Sequence, residues 1–200
     1  MFLSNTCVGV ELHKYFMPEK EYNNPFIGTL IPNDTAYLKL IDNLQEYSIQ
    51  TPSLGPPLEK WRIHPQIKLP YPVIFLGDIE IHCIHESDTK ATLDKFARRL
   101  ERMRKFIELK HGKIYATLSF SELLNDHDDI NLFIQRFCKP SGIVNKIFLG
   151  PTQYKYDNEH YIPVTLWDTI SLTRKYTIYF FNDQPFTAKM FIGYIRDLVV

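Results

Sequence analysis

Apolar positions recur along the chain at two periods, and the changes of period mark out its elements. Leu93, Phe96, Leu100, Met103 and Ile107 follow one another at steps of three and four, the narrow stripe of a helix with one buried face. That spacing predicts a helix over 88–109, with Gly112 as its C-terminal stop. Tyr37, Leu38, Ile41 and Leu44 repeat the helical spacing and predict a second helix over 34–47, capped by Asp34. Val73-Ile74-Phe75-Leu76 is instead a short unbroken apolar run of buried-strand type. Gly77 interrupts it, and 78–85 reads as a further strand or its continuation. A short strand at 2–4 leads into a helix beginning near Cys7. Strands are expected at 114–118, 143–149, 161–166 and 176–181, and helices at 121–137 (capped by Ser121) and 186–198. Strands and helices interleave, so the fold class is α/β, with α+β as the alternative.

Between the second helix and the first apolar run lies 51–72, which holds six of the thirteen prolines. Each removes a backbone donor and disfavours a helix, so the stretch reads as a long surface loop bordering a pocket, within a single domain of residues 1–200. An apolar fraction of 44% with Phe 14, Tyr 12 and Trp 2 supplies a packed core and excludes a disordered chain. Lys+Arg 23 balance Asp+Glu 23, which argues against a nucleic-acid-coating protein, since phosphate binding needs a basic surplus. Cys7, Cys83 and Cys138 form no C-x-x-C pair, so neither a disulfide framework nor a four-cysteine zinc site is expected. No apolar run approaches the roughly 20 residues of a membrane span. The first residues lack the pattern of a secretory signal, and the expected location is cytoplasmic.

Two clusters carry candidate chemistry. In Ser4-Asn5-Thr6-Cys7-Val8-Gly9 the thiol falls where a strand turns into a helix. Unpaired N–H groups and the positive end of the helix dipole favour a thiolate there. A buried structural cysteine is the competing reading. In Gly77-Asp78-Ile79-Glu80-Ile81-His82-Cys83-Ile84-His85-Glu86, strand alternation puts Ile79, Ile81, Cys83 and His85 on one face and Asp78, Glu80, His82 and Ile84 on the other. His85, at the strand end, suits a general base, with Asp78 or Glu80 to orient it if the strand bends. His82 reads as a surface histidine and Cys83 as a core residue. His82 and His85 fall on opposite faces, so no metal site is expected. From Asp88 to Lys113 there are nine Lys/Arg against four acids, including Arg98, Arg99, Arg102 and Arg104. Arg98 and Arg102 point away from the apolar stripe, while Arg99 and Arg104 flank it. A solvated helix face and a grip on a phosphate or carboxylate are both open readings. The following segment, 119–131, holds four acids and no Lys or Arg, enough to pair with much of that surplus. Nucleotide P-loops, Gly-x-Gly-x-x-Gly, Gly-x-Ser-x-Gly and His-Glu-x-x-His are absent.

Taken in order, Ser4-Asn5-Thr6-Cys7-Val8-Gly9, Pro25-Phe26-Ile27-Gly28, Asp78 through His85, and Phe96-Ala97-Arg98-Arg99-Leu100-Glu101-Arg102 resemble a mainly bacterial family of unknown function. Its members are often labelled exopolysaccharide biosynthesis proteins, and it is similar to papain-like cysteine peptidases. The motifs span residues 2–150. Asn24, Phe96 and Glu86 depart from the family pattern, where Ser, Trp and an aromatic are usual. The resemblance implies a papain-like layered fold with a mixed sheet and an N-terminal cysteine helix. It implies Cys7 as nucleophile, His85 as base and Asp78 as its orienting acid, with Arg98, Arg99 and Arg102 matching its arginines and able to grip a substrate phosphate; the N–H groups opening the Cys7 helix, with Asn5, would hold the oxyanion. The expected function is cysteine-dependent acyl transfer to a carbohydrate in surface-glycan assembly. An acyl-coenzyme A or nucleotide-sugar would be the donor or substrate, and no resident cofactor is expected. A papain-like hydrolase is the first alternative. The second is a non-catalytic glycan- or protein-binding domain, with Tyr154, Tyr156 and Tyr161 stacking on sugars.

Overall fold

The structure, a computed structural model, describes residues 1–5, 10, 13, 24–57, 71–109, 113–119, 136, 143–151, 161–166, 179–181 and 184–186. Two sheets organise them. The larger has six strands, β1 (Phe2–Ser4), β5 (Ile114–Ser119), β6 (Val144–Pro151), β7 (Tyr161–Leu166), β8 (Tyr179–Phe181) and β9 (Gln184–Phe186), adjacent in that order. β1, β5, β6 and β7 run parallel, whereas β7, β8 and β9 pair antiparallel. The smaller sheet is β2 (Ser53–Leu54), β3 (Val73–Leu76) and β4 (Ile79–His82), antiparallel throughout. Helices with mixed parallel and antiparallel sheets place the chain in the α/β or α+β class.

The long helix, α3 (Thr89–Glu108), follows its sequence pattern closely. Asp88 caps it, its carboxylate accepting from Ala91 N at 2.8 Å. Its buried positions are Thr92, Phe96, Leu100, Met103 and Ile107, with Leu93 partly buried beside them. The expected 34–47 helix is instead two, α1 (Asp34–Asp42) and α2 (Leu44–Ser48). Asn43 divides them: its backbone N–H and its side-chain Nδ2 both donate to Lys39 O, at 3.1 and 2.9 Å, closing α1. The cap is Asn33 rather than Asp34, with Oδ1 accepting from Ala36 N at 2.9 Å.

The expected strand at 78–85 is shorter. Gly77, at φ +61°, makes a two-residue turn with Asp78, so that Leu76 pairs with Ile79 and β3–β4 is a tight hairpin. The strand ends at His82, and Ile84–His85 form a turn closed by Glu86 N donating to Cys83 O at 3.0 Å. Phe186, the expected start of the last helix, lies in β9. The helix expected at 121–137 lies outside the described residues apart from Arg136, which is helical, and so does the rest of 186–198.

One core unites the halves. Leu3, Ala116, Ile114 and Val144 from the large sheet join Ile74, Leu76, Ile79, Ile81 and Cys83 from the hairpin and the apolar faces of α1, α2 and α3. Among the described residues no helix is long and apolar enough to cross a membrane.

Candidate functional site

Asn24–Ile31, a stretch without helical or alternating periodicity, ties the elements together. Asn24 Oδ1 accepts from Phe26 N at 3.1 Å and Thr29 Oγ1 donates to Phe26 O at 3.0 Å, folding the stretch into local turns. Gly28 sits at φ +75°, a conformation that disfavours other residues, and a Cβ there would lie 3.7 Å from Val10 Cγ2. Phe26 packs edge-on against Phe96 of α3, ring centroids 6.0 Å apart. Beyond these turns the chain extends. Ile31 N donates to Asn5 O at 2.9 Å, while Leu30 exchanges both backbone hydrogen bonds with His82, at 2.9 and 2.8 Å. Consecutive residues of an extended chain point their N–H groups to opposite sides. The Leu30–Ile31 step therefore holds the segment after β1 on one side and the end of β4 on the other.

Cys7 lies outside the described residues; Asn5 before it is buried, and Val10 after it is helical. His85 is exposed in the turn after β4. Asp78 is at the other end of that strand, and the four residues of β4 alone put more than about 10 Å between them. Its carboxylate accepts from Lys39 Nζ at 2.5 Å and Tyr47 Oη at 2.6 Å, and these two hydrogen bonds hold its acid below the usual range. The structure thus brings Asp78 to α1 and α2, not to His85.

The arginines divide as the helical wheel expects. Arg98 and Arg102 are exposed, one turn apart, whereas Arg99 is half-buried and turns toward the linking segment, with Nη1 3.5 Å from Ile27 O. Arg104 pairs with Glu101 and Glu108, and Lys105 with Glu101, so part of the basic surplus is neutralised on α3 itself. Pairing with 119–131 involves residues outside the described set, Ser119 excepted. A cleft of about 20 Å³, room for roughly one water, lies between Gly28, Thr29, Cys83, Glu86, Lys95 and Arg99. Glu86 and Lys95 form an ion pair across it. Burial, then the charge of Glu86, push the Cys83 thiol up to about 12. It is a packing residue.

His82 is the largest departure from expectation. Read as a surface residue, it is fully buried, because both faces of β4 are covered. Its Nδ1 lies 2.9 Å from Tyr71 Oη and its Nε2 2.9 Å from Glu80 Oε1. Tyr71 and Glu80 are buried too, at 8% and 7% exposure. Burial, then the charge of Glu80, raise the Tyr71 phenol above its ordinary value. The sequence carried a signal for this unit in Glu80-Ile81-His82, two polar residues on one strand face opposite the apolar Val73. Alternation alone assigns such a face to solvent. Among the described residues no three His, Cys, Asp or Glu side chains are grouped to hold a metal.

The fold and site define a mixed-sheet protein of the α/β or α+β class whose N-terminal segment, hairpin end and basic helix meet on one linking stretch. The chain belongs to the family described as a domain of unknown function (DUF1919), which it matches over residues 1–180. No curated protein and no solved structure matches it.

Proposed function

We propose that the protein is a cysteine-dependent acyl-transfer enzyme, with Cys7 as nucleophile, His85 as its base and a carbohydrate hydroxyl as acceptor. The observation that carries the reading is the Leu30–Ile31 step. Ile31 holds Asn5, two residues before Cys7, and Leu30 holds His82, three residues before His85. Adjacent residues of one segment therefore anchor both reactive stretches.

In the papain-like arrangement that the resemblance implies, a cysteine at a helix N-terminus faces a histidine on a sheet. The helical Val10, three residues after Cys7, and the place of His85 in the turn that follows β4 are in keeping with it. The Cys7 thiolate attacks the donor carbonyl, and the N–H groups opening the helix, with Asn5, hold the oxyanion. The leaving group departs with a proton from the His85 imidazolium. The acceptor hydroxyl then attacks the thioester, returning its proton to His85. Arg98 and Arg102, one turn apart on the exposed face of α3, would hold the phosphates of an acyl-coenzyme A donor or a nucleotide-sugar acceptor, and Arg99 a group nearer the cleft. Asp78 has no part in this scheme, since Lys39 and Tyr47 engage it elsewhere.

Iodoacetamide labelling, followed by mass spectrometry from pH 5 to 9, tests the nucleophile. Cys7 is expected to react at pH 6 at least about ten times faster than a free cysteine thiol, whose pKa is near 8.5. His85→Ala is expected to remove that advantage. A Cys7 rate at pH 6 no faster than the free thiol overturns the reading. Acetyl transfer from p-nitrophenyl acetate to added sugar, compared with release to water, separates transferase from hydrolase.

A further inference from the structure

We propose that Glu80, His82 and Tyr71 form a carboxylate–imidazole–hydroxyl proton relay whose working end, the Tyr71 hydroxyl, acts as general acid–base toward a hydroxyl-bearing substrate. The three groups stand in series at 2.9 and 2.9 Å. That is the geometry in which a base is oriented by a third group while it draws a proton from a hydroxyl. The relay runs in the tautomer in which Nδ1 accepts from the Tyr71 O–H and the proton on Nε2 is donated to Glu80 Oε1.

Position favours function over plain packing. Ile74, Leu76, Ile79, Ile81 and Cys83, on the opposite face of the hairpin, belong to the hydrophobic core, whereas Tyr71, although buried, lies outside it. A buried charged network costs desolvation that an apolar face would avoid. The relay also lies at the end of β4 where His82 bridges Leu30 and Cys83 N donates to Pro72 O at 3.0 Å, so Tyr71 shares an end of the strand with the linking segment.

In the forward step the substrate O–H breaks and its proton passes to the Tyr71 oxygen. The phenol proton passes to His82 Nδ1, leaving the electron pair on the substrate oxygen for attack. The resulting imidazolium is held by Glu80; once the substrate oxygen has formed its new bond, His82 returns its proton to the Tyr71 oxygen as the Tyr71 hydroxyl releases one to water, which restores the relay. Glu80 and His82 are positioning residues, acting through Tyr71. The relay does not need Cys7; where its substrate is the acceptor hydroxyl, Tyr71 takes that proton in place of His85, an assignment that rests on the acyl-transfer reading.

The test uses the full chain carrying Cys7→Ser, which keeps the thiol from consuming the reagent and makes the outcome independent of the thiol mechanism. An aryl sulfonyl fluoride is the probe, and labelling of each tyrosine is followed by mass spectrometry. Tyr71 is expected to label, and His82→Gln and Glu80→Gln to slow it at least about tenfold while labelling of other tyrosines is unchanged. In parallel, ¹⁵N spectra of the imidazole are expected to show His82 protonated on Nε2. Failure of Tyr71 to label, a rate that neither variant changes, or an Nδ1-protonated His82 each overturns the relay. A purely structural network would hold the same tautomer but leave the Tyr71 labelling rate, relative to the other tyrosines, unchanged in both variants.

Discussion

Cys83 shows how much of a residue's chemistry its environment sets. Cys83 is 2% exposed within the core cluster, and burial together with Glu86 moves its thiol up to about 12. In the unfolded chain the same thiol ionises near 8.5. Since the folded state holds this proton more tightly, the stabilisation is complete below about pH 8.5 and is lost as pH rises toward the folded value. Comparison of urea midpoints for wild type and Cys83→Ala at pH 7.5 and 10 is expected to show wild type losing about 1–2 kcal/mol relative to the variant. An equal alkaline loss in both would remove Cys83 as the cause. The packing role of Cys83 was legible, because it alternates with Ile79 and Ile81. The burial of His82 was not, because the pattern of one strand does not say what covers its second face.

At the scale of elements, local rules served best where one side chain decides. The stripe and cap of α3 came directly from spacing and from Asp88, whereas the break between α1 and α2 turned on Asn43, which competes for the Lys39 carbonyl. The hairpin depends in the same way on Gly77. At φ +61° a side chain is strained, and a Cβ would also meet Gln50 Oε1 at 2.2 Å. The Gln50 carboxamide ends a flexible side chain and can move aside, so the backbone conformation is the greater cost. Gly77→Ala is expected to lower stability by about 1–2 kcal/mol, measured by urea denaturation. Gln50→Ala in the same chain is expected to recover less than half of it. Full recovery would show that the clash, not φ, makes glycine necessary. Asp78, the other turn residue, holds the hairpin to α1 and α2 through Lys39 and Tyr47. A candidate catalytic acid by sequence proximity is thus a tether in three dimensions.

For the whole molecule, strand order was not legible, since β1 pairs with β5 from the far side of both α-helical stretches and the hairpin, a long-range choice that periodicity does not encode. Nor was the role of Asn24–Ile31, which has no period, though it joins the N-terminal segment to β4. The helices and the parallel sheet are joined by a contact equally hidden in sequence. Lys146, on β6 and next to Ala116 in register, is buried, and its ammonium pairs with Asp42 at the end of α1. The side chains are unequally covered, at 2% exposure for Lys146 and 33% for Asp42. Removing the carboxylate leaves a charge inside the protein, whereas removing the lysine leaves an acid that water can still reach. Asp42→Ala is therefore expected to cost about 1–3 kcal/mol, less than loss of a fully buried partner, and Lys146→Met to cost less than Asp42→Ala. The double variant is expected to be more stable than Asp42→Ala alone, because the buried ammonium has gone together with its carboxylate partner. Urea denaturation of all four proteins gives the coupling energy directly. Strict additivity would mean that the pair does not couple α1 to β6.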